Sequence, residues 1–418
     1  MRIVAALGMV ALIGVPAVGA AMSLDEAIAQ AQRSNPAMAE ARAGADGADA
    51  RLAQARAGRL PTVVASGQSG WGTTDLGGFF GFGRSNVTPR GVAIDVRQPI
   101  FSGGGVTAAI DRARDGRDAA LAKVAGAKAL LSAQVAEAYV AVLSTFELRG
   151  LRDAEVRRMT QIADQAELKF KDGETPRTDL DQSHARLAEA RAGLARAEGD
   201  VARARAHFET VVGMPADSLE PPPPAPSTPA SLDDAVAGAA RSSPTLIAAE
   251  AAARAAEAAV RYAQADRLPT VALDAKASSV RDQFFPGYRS DGVTVGVEGH
   301  WTLFSGGLIN GHVSEARAEV RAARAALDAA RAEVREAVVG AWQDVETARA
   351  LTQAASDQSA ASASALESVR HEVRVGQKPT LDLLDAEREA LAARAALVAA
   401  RGEQVVDAWR LKALLGGQ

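Results

Sequence analysis

The sequence predicts an α+β membrane protein, with tandem-duplicated long coiled-coil helices forming an α-barrel. Four transmembrane β-strands per chain complete a 12-stranded trimeric β-barrel. Three observations predict this class. The chain repeats itself, two helical stretches are too long for an ordinary globule, and four short segments alternate apolar with polar residues.

The repeat is read directly. Residues 23–63 align without a gap to residues 231–271, with about half the positions identical. Phe101-Ser102-Gly103-Gly104 returns as Phe304-Ser305-Gly306-Gly307, and from there Tyr139 meets Trp342, Gly173 meets Gly376, and Pro176 meets Pro379. The expected organisation is a signal peptide over 1–20, a first repeat over 21–213, a Pro-rich linker over 214–230 and a second repeat over 231–418. Composition agrees with long, closely packed helices. Hydrophobic residues make up 48% of the 418, alanine is the commonest of them, and aromatics are only 4%.

Residues 1–20 open on Met1-Arg2, run through an apolar stretch and end in Gly19-Ala20, followed by Ala21. That order predicts a secretory leader cut after Ala20 or Ala21. The chain has no cysteine, so packing and association must hold it together outside the cytoplasm. A net charge of −4 with interspersed signs gives no footprint for nucleic acid. Beyond the leader no run of eighteen apolar residues is expected to span a membrane as a helix.

In each copy the predicted order is helix, strand, loop, strand, very long helix, turn, helix. The first helix covers 24–57, interrupted at Asn35-Pro36, and its counterpart covers 232–265. Arg-Leu-Pro ends both, because proline disfavours helical geometry in the residue before it. Period two then takes over. Val92, Ile94 and Val96 alternate with Ala93, Asp95 and Arg97; Val293, Val295 and Val297 alternate with Thr294, Gly296 and Glu298. Segments 62–71 and 270–277 follow the same rule, with one apolar and one polar or charged face, as a strand between lipid and water requires. Ten of seventeen aromatics, among them Trp71, Phe79, Phe80, Phe82, Phe284, Tyr288 and Trp301, lie on these strands or their ends and loops. A soluble sheet covered by a helix is the other reading, but little in the chain is apolar enough to cover one.

Residues 106–171 contain no proline and stay helical in pattern, which at the usual rise gives roughly 100 Å, and 308–374 matches them. Leu131, Val135, Ala138 and Val142 keep heptad spacing, as do Val334, Val338, Ala341 and Val345. Flanking helices of about 35 residues, stacked in pairs, equal one long helix. The proline-rich 221–229 cannot be helical and joins the copies. Four strands cannot close a barrel, and an open edge is not tolerated in lipid. Two chains would give a barrel filled by its own side chains, and three the smallest with an open lumen, so geometry favours a homotrimer.

These features together resemble the TolC family of outer-membrane export ducts, over essentially the whole mature chain. The resemblance rests on the duplication, the Leu-Pro before the first and third strands, and the Phe-Ser-Gly-Gly passages. It rests also on the turn motifs Gly173-Glu174-Thr175-Pro176-Arg177-Thr178-Asp179-Leu180 and Gly376-Gln377-Lys378-Pro379-Thr380-Leu381-Asp382-Leu383. It implies a trimeric channel-tunnel in the outer membrane, continued through the periplasm. The resemblance also implies docking to a periplasmic adaptor and an inner-membrane pump, and export of small molecules or protein. The rival reading is a periplasmic coiled-coil adaptor or scaffold.

Asp382 and Asp385 stand three apart at a helix start and so share a face. In a trimer they would form two rings of carboxylates that oppose one another's ionisation and attract cations. Acids in a first turn also simply favour the helix dipole. The family's entrance aspartates fall at these two positions. Its closing arginine and tyrosine fall at Lys378 and Val373, so the latch differs here; Lys378 could still pair with Asp179, as a point charge. Gly173, Pro176, Gly376 and Pro379 mark the tips where the resemblance implies adaptor docking, although helix-ending glycines alone explain the two glycines. The glycines at 103–105 lack a following Lys-Ser/Thr, and the five histidines show no ligand spacing. No enzyme activity, cofactor or metal is expected.

Overall fold

The computed structural model of the chain describes residues 21–78, 83–222 and 224–417. The leader at 1–20 and three aromatics of the strand set, Phe79, Phe80 and Phe82, lie outside the described residues. The chain forms two compact units, each drawing on both halves of the sequence. One comprises 39–127 and 238–336, and the other the remaining stretches.

Local chemistry sets the helix starts. α1 (Leu24–Ser34) begins with a capping box: the Ser23 hydroxyl accepts the Glu26 N–H, and the Glu26 carboxylate accepts the Ser23 N–H at 2.9 Å. In the second half Ser231 accepts the Asp234 N–H at 3.1 Å ahead of α5 (Leu232–Ser242), so the repeated Ser-Leu-Asp-acid motif is a helix start used twice. Asn35 ends α1 and opens α2 (Pro36–Ala57), its side-chain oxygen accepting the Ala37 N–H at 2.9 Å. The same junction receives a third helix, α4 (Arg177–Val212). Ser34 donates to the Val212 carbonyl and Asn35 to that of Val211, both at 3.0 Å, satisfying carbonyls that a helix end leaves open.

The unit made of 39–127 and 238–336 carries α6 (Pro244–Ala265) and one antiparallel sheet of four strands, in the order β1 (Thr62–Ser69), β4 (Arg90–Ser102), β5 (Thr270–Arg281), β6 (Arg289–His300). These are the four expected strands. A further small hairpin, β2 (Gly72–Asp75) with β3 (Arg84–Val87), fills part of what the sequence reads as loop, its short polar strands lacking an apolar period. Pro99 lies at a register shift in β4, where a residue without an N–H breaks no ladder. At the passage into the long helix Gly103 has φ +59°, and a Cβ there would stand 2.6 Å from the Ala265 carbonyl, so only glycine fits.

The two long helices, α3 (Gly105–Lys171) and α7 (Leu308–Arg374), run unbroken as predicted. Of the seam residues, Leu131, Val135, Ala138, Val142, Val334, Val338 and Val345 are buried. α3 is apolar in part, although Ser132, Gln134 and Glu137 keep it from being an unbroken apolar run. It holds an 18-residue window of mean hydropathy 1.4, enough by composition to cross a bilayer. Half of that window is buried in the chain, as a packing seam of Ala, Val and Leu requires.

In the other unit the linker is fastened down. Met22 donates to the Ser218 carbonyl and accepts from the Glu220 N–H, and the Tyr139 hydroxyl lies 2.8 Å from both the Met22 and the Glu220 carbonyls. Burial pushes the Tyr139 phenol up to about 12, with the Glu220 charge adding to it. Ala225 and Trp409 pack on Val140, Val405 and Val406. Among the described residues between 213 and 231 no helix forms, as the prolines dictate.

Candidate functional site

The α3–α4 and α7–α8 turns, with α8 spanning Thr380–Leu414, are built alike. At Gly173 (φ +74°) the Glu174 N–H donates to the Lys169 carbonyl and the Gly173 N–H to that of Phe170. At Gly376 (φ +76°) the Gln377 N–H donates to Glu372 and the Gly376 N–H to Val373. Both are Schellman closures, and both require a residue that tolerates positive φ. Pro176 and Pro379 then start the return helices with extended backbone, φ −72° in each. The end of α8 closes in the same way, with the Gly417 N–H on the Lys412 carbonyl and the Gly416 N–H on that of Ala413, so the closure is a general helix ending and the proline three residues on is what marks the two tips.

Asp382 and Asp385 stand in the first turns of α8, Asp382 half-buried and Asp385 exposed. Asp385 is not an isolated anion. Arg186 of α4 reaches it at 3.5 Å and Arg388 at 3.9 Å. Lys378 departs from the expected pairing with Asp179. Its ammonium lies 2.9 Å from Glu372 on its own hairpin, while Asp179 accepts the Thr175 hydroxyl at 3.0 Å. The contact with Glu372 holds the Lys378 pKa above its ordinary value, and the charge of Asp382 adds to the shift. The reason is reach: the Schellman turn brings Glu372 and Lys378 together across six residues, whereas Asp179 is engaged in its own first turn.

A site the sequence did not reveal lies farther along α8. Glu387 is only 5% exposed. Arg370 of α7 grips one of its oxygens through Nε at 3.1 Å and Nη2 at 2.5 Å, and Arg158 of α3 lies 2.9 Å from the other. Desolvation alone would lower the Arg370 pKa, but Glu387 outweighs it and the net shift is upward. Beside the triad, Met159, Ala163, Leu187, Ala190 and Leu384 form an apolar cluster shared by α3, α4 and α8. The available signal was Glu387 itself, an acid interrupting the buried stripe Leu384, Ala390, Leu391.

In the other unit the sheet separates its faces cleanly. Pairing places Val63, Val96, Ala275 and Val295 on one face, and Ala65, Ile94, Ala277 and Val293 on the next row of it. This apolar face is bare, with Val293 78% and Val63 66% exposed. On the opposite face Arg97 pairs with Asp274 at 3.3 Å and with Glu298 at 3.2 Å, and Lys276 pairs with Asp95 at 3.4 Å. β1 and β6 form the two edges, each with one side of its backbone unpaired among the described residues. A charged ladder behind an uncovered hydrophobic face suits lipid on one side and water on the other.

The profile of the outer membrane efflux protein family matches residues 27–214 and 236–417. The chain is 30% identical over 391 residues to the outer membrane efflux protein BepC of Brucella suis, covering 93% of this chain and 84% of that one. Among solved structures it is similar to the outer membrane protein VceC of Vibrio cholerae, with a TM-score of 0.81, 20% identity, and 94% and 96% of the two chains covered. It is also similar to the open-state MtrE outer membrane channel of Neisseria gonorrhoeae, with a TM-score of 0.79, 22% identity, and 94% and 88% covered. Duplicated hairpins, a sheet bare toward lipid and the match along nearly the whole chain lead to one placement: the protein belongs to the outer membrane efflux protein family.

Proposed function

We propose that three copies of this chain pool their sheets into one 12-stranded barrel, continued into the periplasm by their helices, and that an inner-membrane pump delivers cargo through a periplasmic adaptor docked at the tips. The protein is an export channel of the outer membrane that extends into the periplasm, and a conduit rather than an enzyme. The observation that carries the trimer is the sheet itself: a bare apolar face bounded by two open edges, which lipid does not tolerate unless neighbours pair with them. A periplasmic scaffold would leave that face without a purpose, and the family assignment goes against it. The organisation into repeats 21–213 and 231–418, joined by 214–230, belongs to the same proposal. The two-part family match supports it.

Within this reading Asp382 and Asp385 line the inner constriction, with Asp179 and Lys378 beside it, and Gly173, Pro176, Gly376 and Pro379 form the docking tips. Opening moves the hairpins apart, a two-state change in packing biased by the adaptor. Single-channel recording of the Asp382→Ala/Asp385→Ala variant tests the constriction. Conductance should rise and block by divalent cations should weaken by about tenfold or more, as expected when a ring of carboxylates is lost. Unchanged block would remove both residues from the gate.

A further inference from the structure

Antiparallel pairing sets three arginines side by side on neighbouring strands. Arg90 of β4 is registered with Arg281 of β5, and Arg281 with Arg289 of β6. Like charges directly opposite destabilise a sheet, so such a row needs a reason. Its position is informative. By alternation Arg90 shares a face with Val92 and Ile94, and Arg289 with Val293 and Val295, so the row crowns the bare apolar face at the end away from the helices.

Among the described residues two carboxylates compensate it. Asp282 lies 2.9 Å from Arg90, and Asp291 binds Arg281 with two contacts, at 2.8 and 3.1 Å. Asp282 is held in place at φ +53°, its carboxylate accepting the Gly287 N–H at 2.7 Å. A non-glycine residue in that region is strained, and the loop keeps it there. Arg289 is exposed and has no ion pair among the described residues. Next to the row the β5–β6 loop stacks Phe284 edge-on against Tyr288, with centroids 5.0 Å apart. Aromatics at this level fit a bilayer interface.

We propose that the Arg90–Arg281–Arg289 row binds the phosphate of a phosphorylated lipid in the outer leaflet. The guanidinium donors suit phosphate oxygens, and a phosphate placed there lays its acyl chains along Ile94 and Val293. The inference rests on the reading of this sheet as the membrane-spanning part of the channel. Free phosphate offers the same anion without the chains, so the test separates the two.

The full-length assembly in neutral detergent is titrated with phosphatidic acid, with diacylglycerol (which differs only by the phosphate) and with inorganic phosphate, and bound species are counted by native mass spectrometry. Phosphatidic acid should bind at least about tenfold more tightly than either comparator, and Arg289→Ala, which breaks no ion pair, should weaken it about tenfold. The Arg90→Ala/Arg289→Ala double variant should abolish the preference. Equal binding of the two lipids, an unaffected Arg289→Ala variant, or inorganic phosphate binding as tightly as the lipid would each overturn the proposal. Single-channel conductance of the same preparations reports separately on the channel, and Arg289→Ala should leave it unchanged.

Discussion

Glu387 concentrates more consequence than any other side chain near the turns. Two guanidinium groups from α3 and α7 meet on one buried carboxylate of α8, so the three helices share a single electrostatic knot. Removing the buried carboxylate leaves two arginines that water still reaches in part, so the cost falls below the about 3–5 kcal/mol typical of a fully buried pair. Glu387→Ala should therefore lower the melting temperature and, if the hairpins are what move, raise the leak of the closed channel; melting and planar-bilayer recording check both. Replacement of the whole triad by apolar residues should recover the stability without the leak control, because an apolar core of similar volume is no weaker than an ion triad.

Tyr139 makes the complementary case. Its phenol, pushed by burial to about 12 from an ordinary value of 10.0, stays protonated in the native chain while an unfolded one ionises. The unfolded state then binds fewer protons, so this contribution to stability is complete below pH 10 and declines as the pH rises toward 12. Tyr139→Phe should cost about 1 kcal/mol at neutral pH, the usual worth of one hydrogen bond, and flatten that alkaline decline in a denaturant series.

Sequence and structure agree best where one residue decides the outcome. Gly173 and Gly376 end their helices by local chemistry, and each lies where the turn motif places it. Glu387 was not legible, because an acid on a helix gives no hint that arginines from two distant segments converge on it. Lys378 shows the local side of the same rule: Glu372, inside the same closure, holds it, a contact set by the turn rather than by the second hairpin.

Among elements, the strands were readable from period two alone, whereas the arginine row was not. Alternation assigns Arg90, Arg281 and Arg289 to faces, but only the register brings them abreast, and register is a property of pairs. The β2–β3 hairpin escaped notice because Gly72, Thr73 and Thr74 have no apolar alternation to detect. The two faces of the sheet make an asymmetric prediction. Val295→Arg, on the bare face, should cost about 2–4 kcal/mol near the membrane midplane, whereas Thr294→Arg, one residue earlier on the charged face and opposite Lys276, should cost no more than about 1 kcal/mol. Refolding into lipid vesicles, with the folded fraction followed against urea, distinguishes them; similar costs would mean that the sheet does not face lipid on the assigned side.

At the scale of the molecule, duplication and incompleteness belong together. A chain with two copies of a helix-strand unit supplies four strands, and the order β1-β4-β5-β6 leaves the first strand of one copy and the last strand of the other as its edges. Those edges are chemically different, so joining them is head-to-tail, and a head-to-tail contact closes into a ring only at a fixed number of copies. The absence of cysteine makes the ring countable. Ser66→Cys on β1, combined in turn with Gly292→Cys, Thr294→Cys or Gly296→Cys on β6, spans the registers that shear between neighbours could select. Oxidation of the membrane-embedded protein should yield a denaturing-gel ladder of one, two and three linked chains that stops at three for at least one combination, and single-cysteine controls should yield none. A ladder that ends at two, or the failure of every combination to cross-link, would mean that these edges do not meet in a trimer, and the closure of the barrel would need another source of strands.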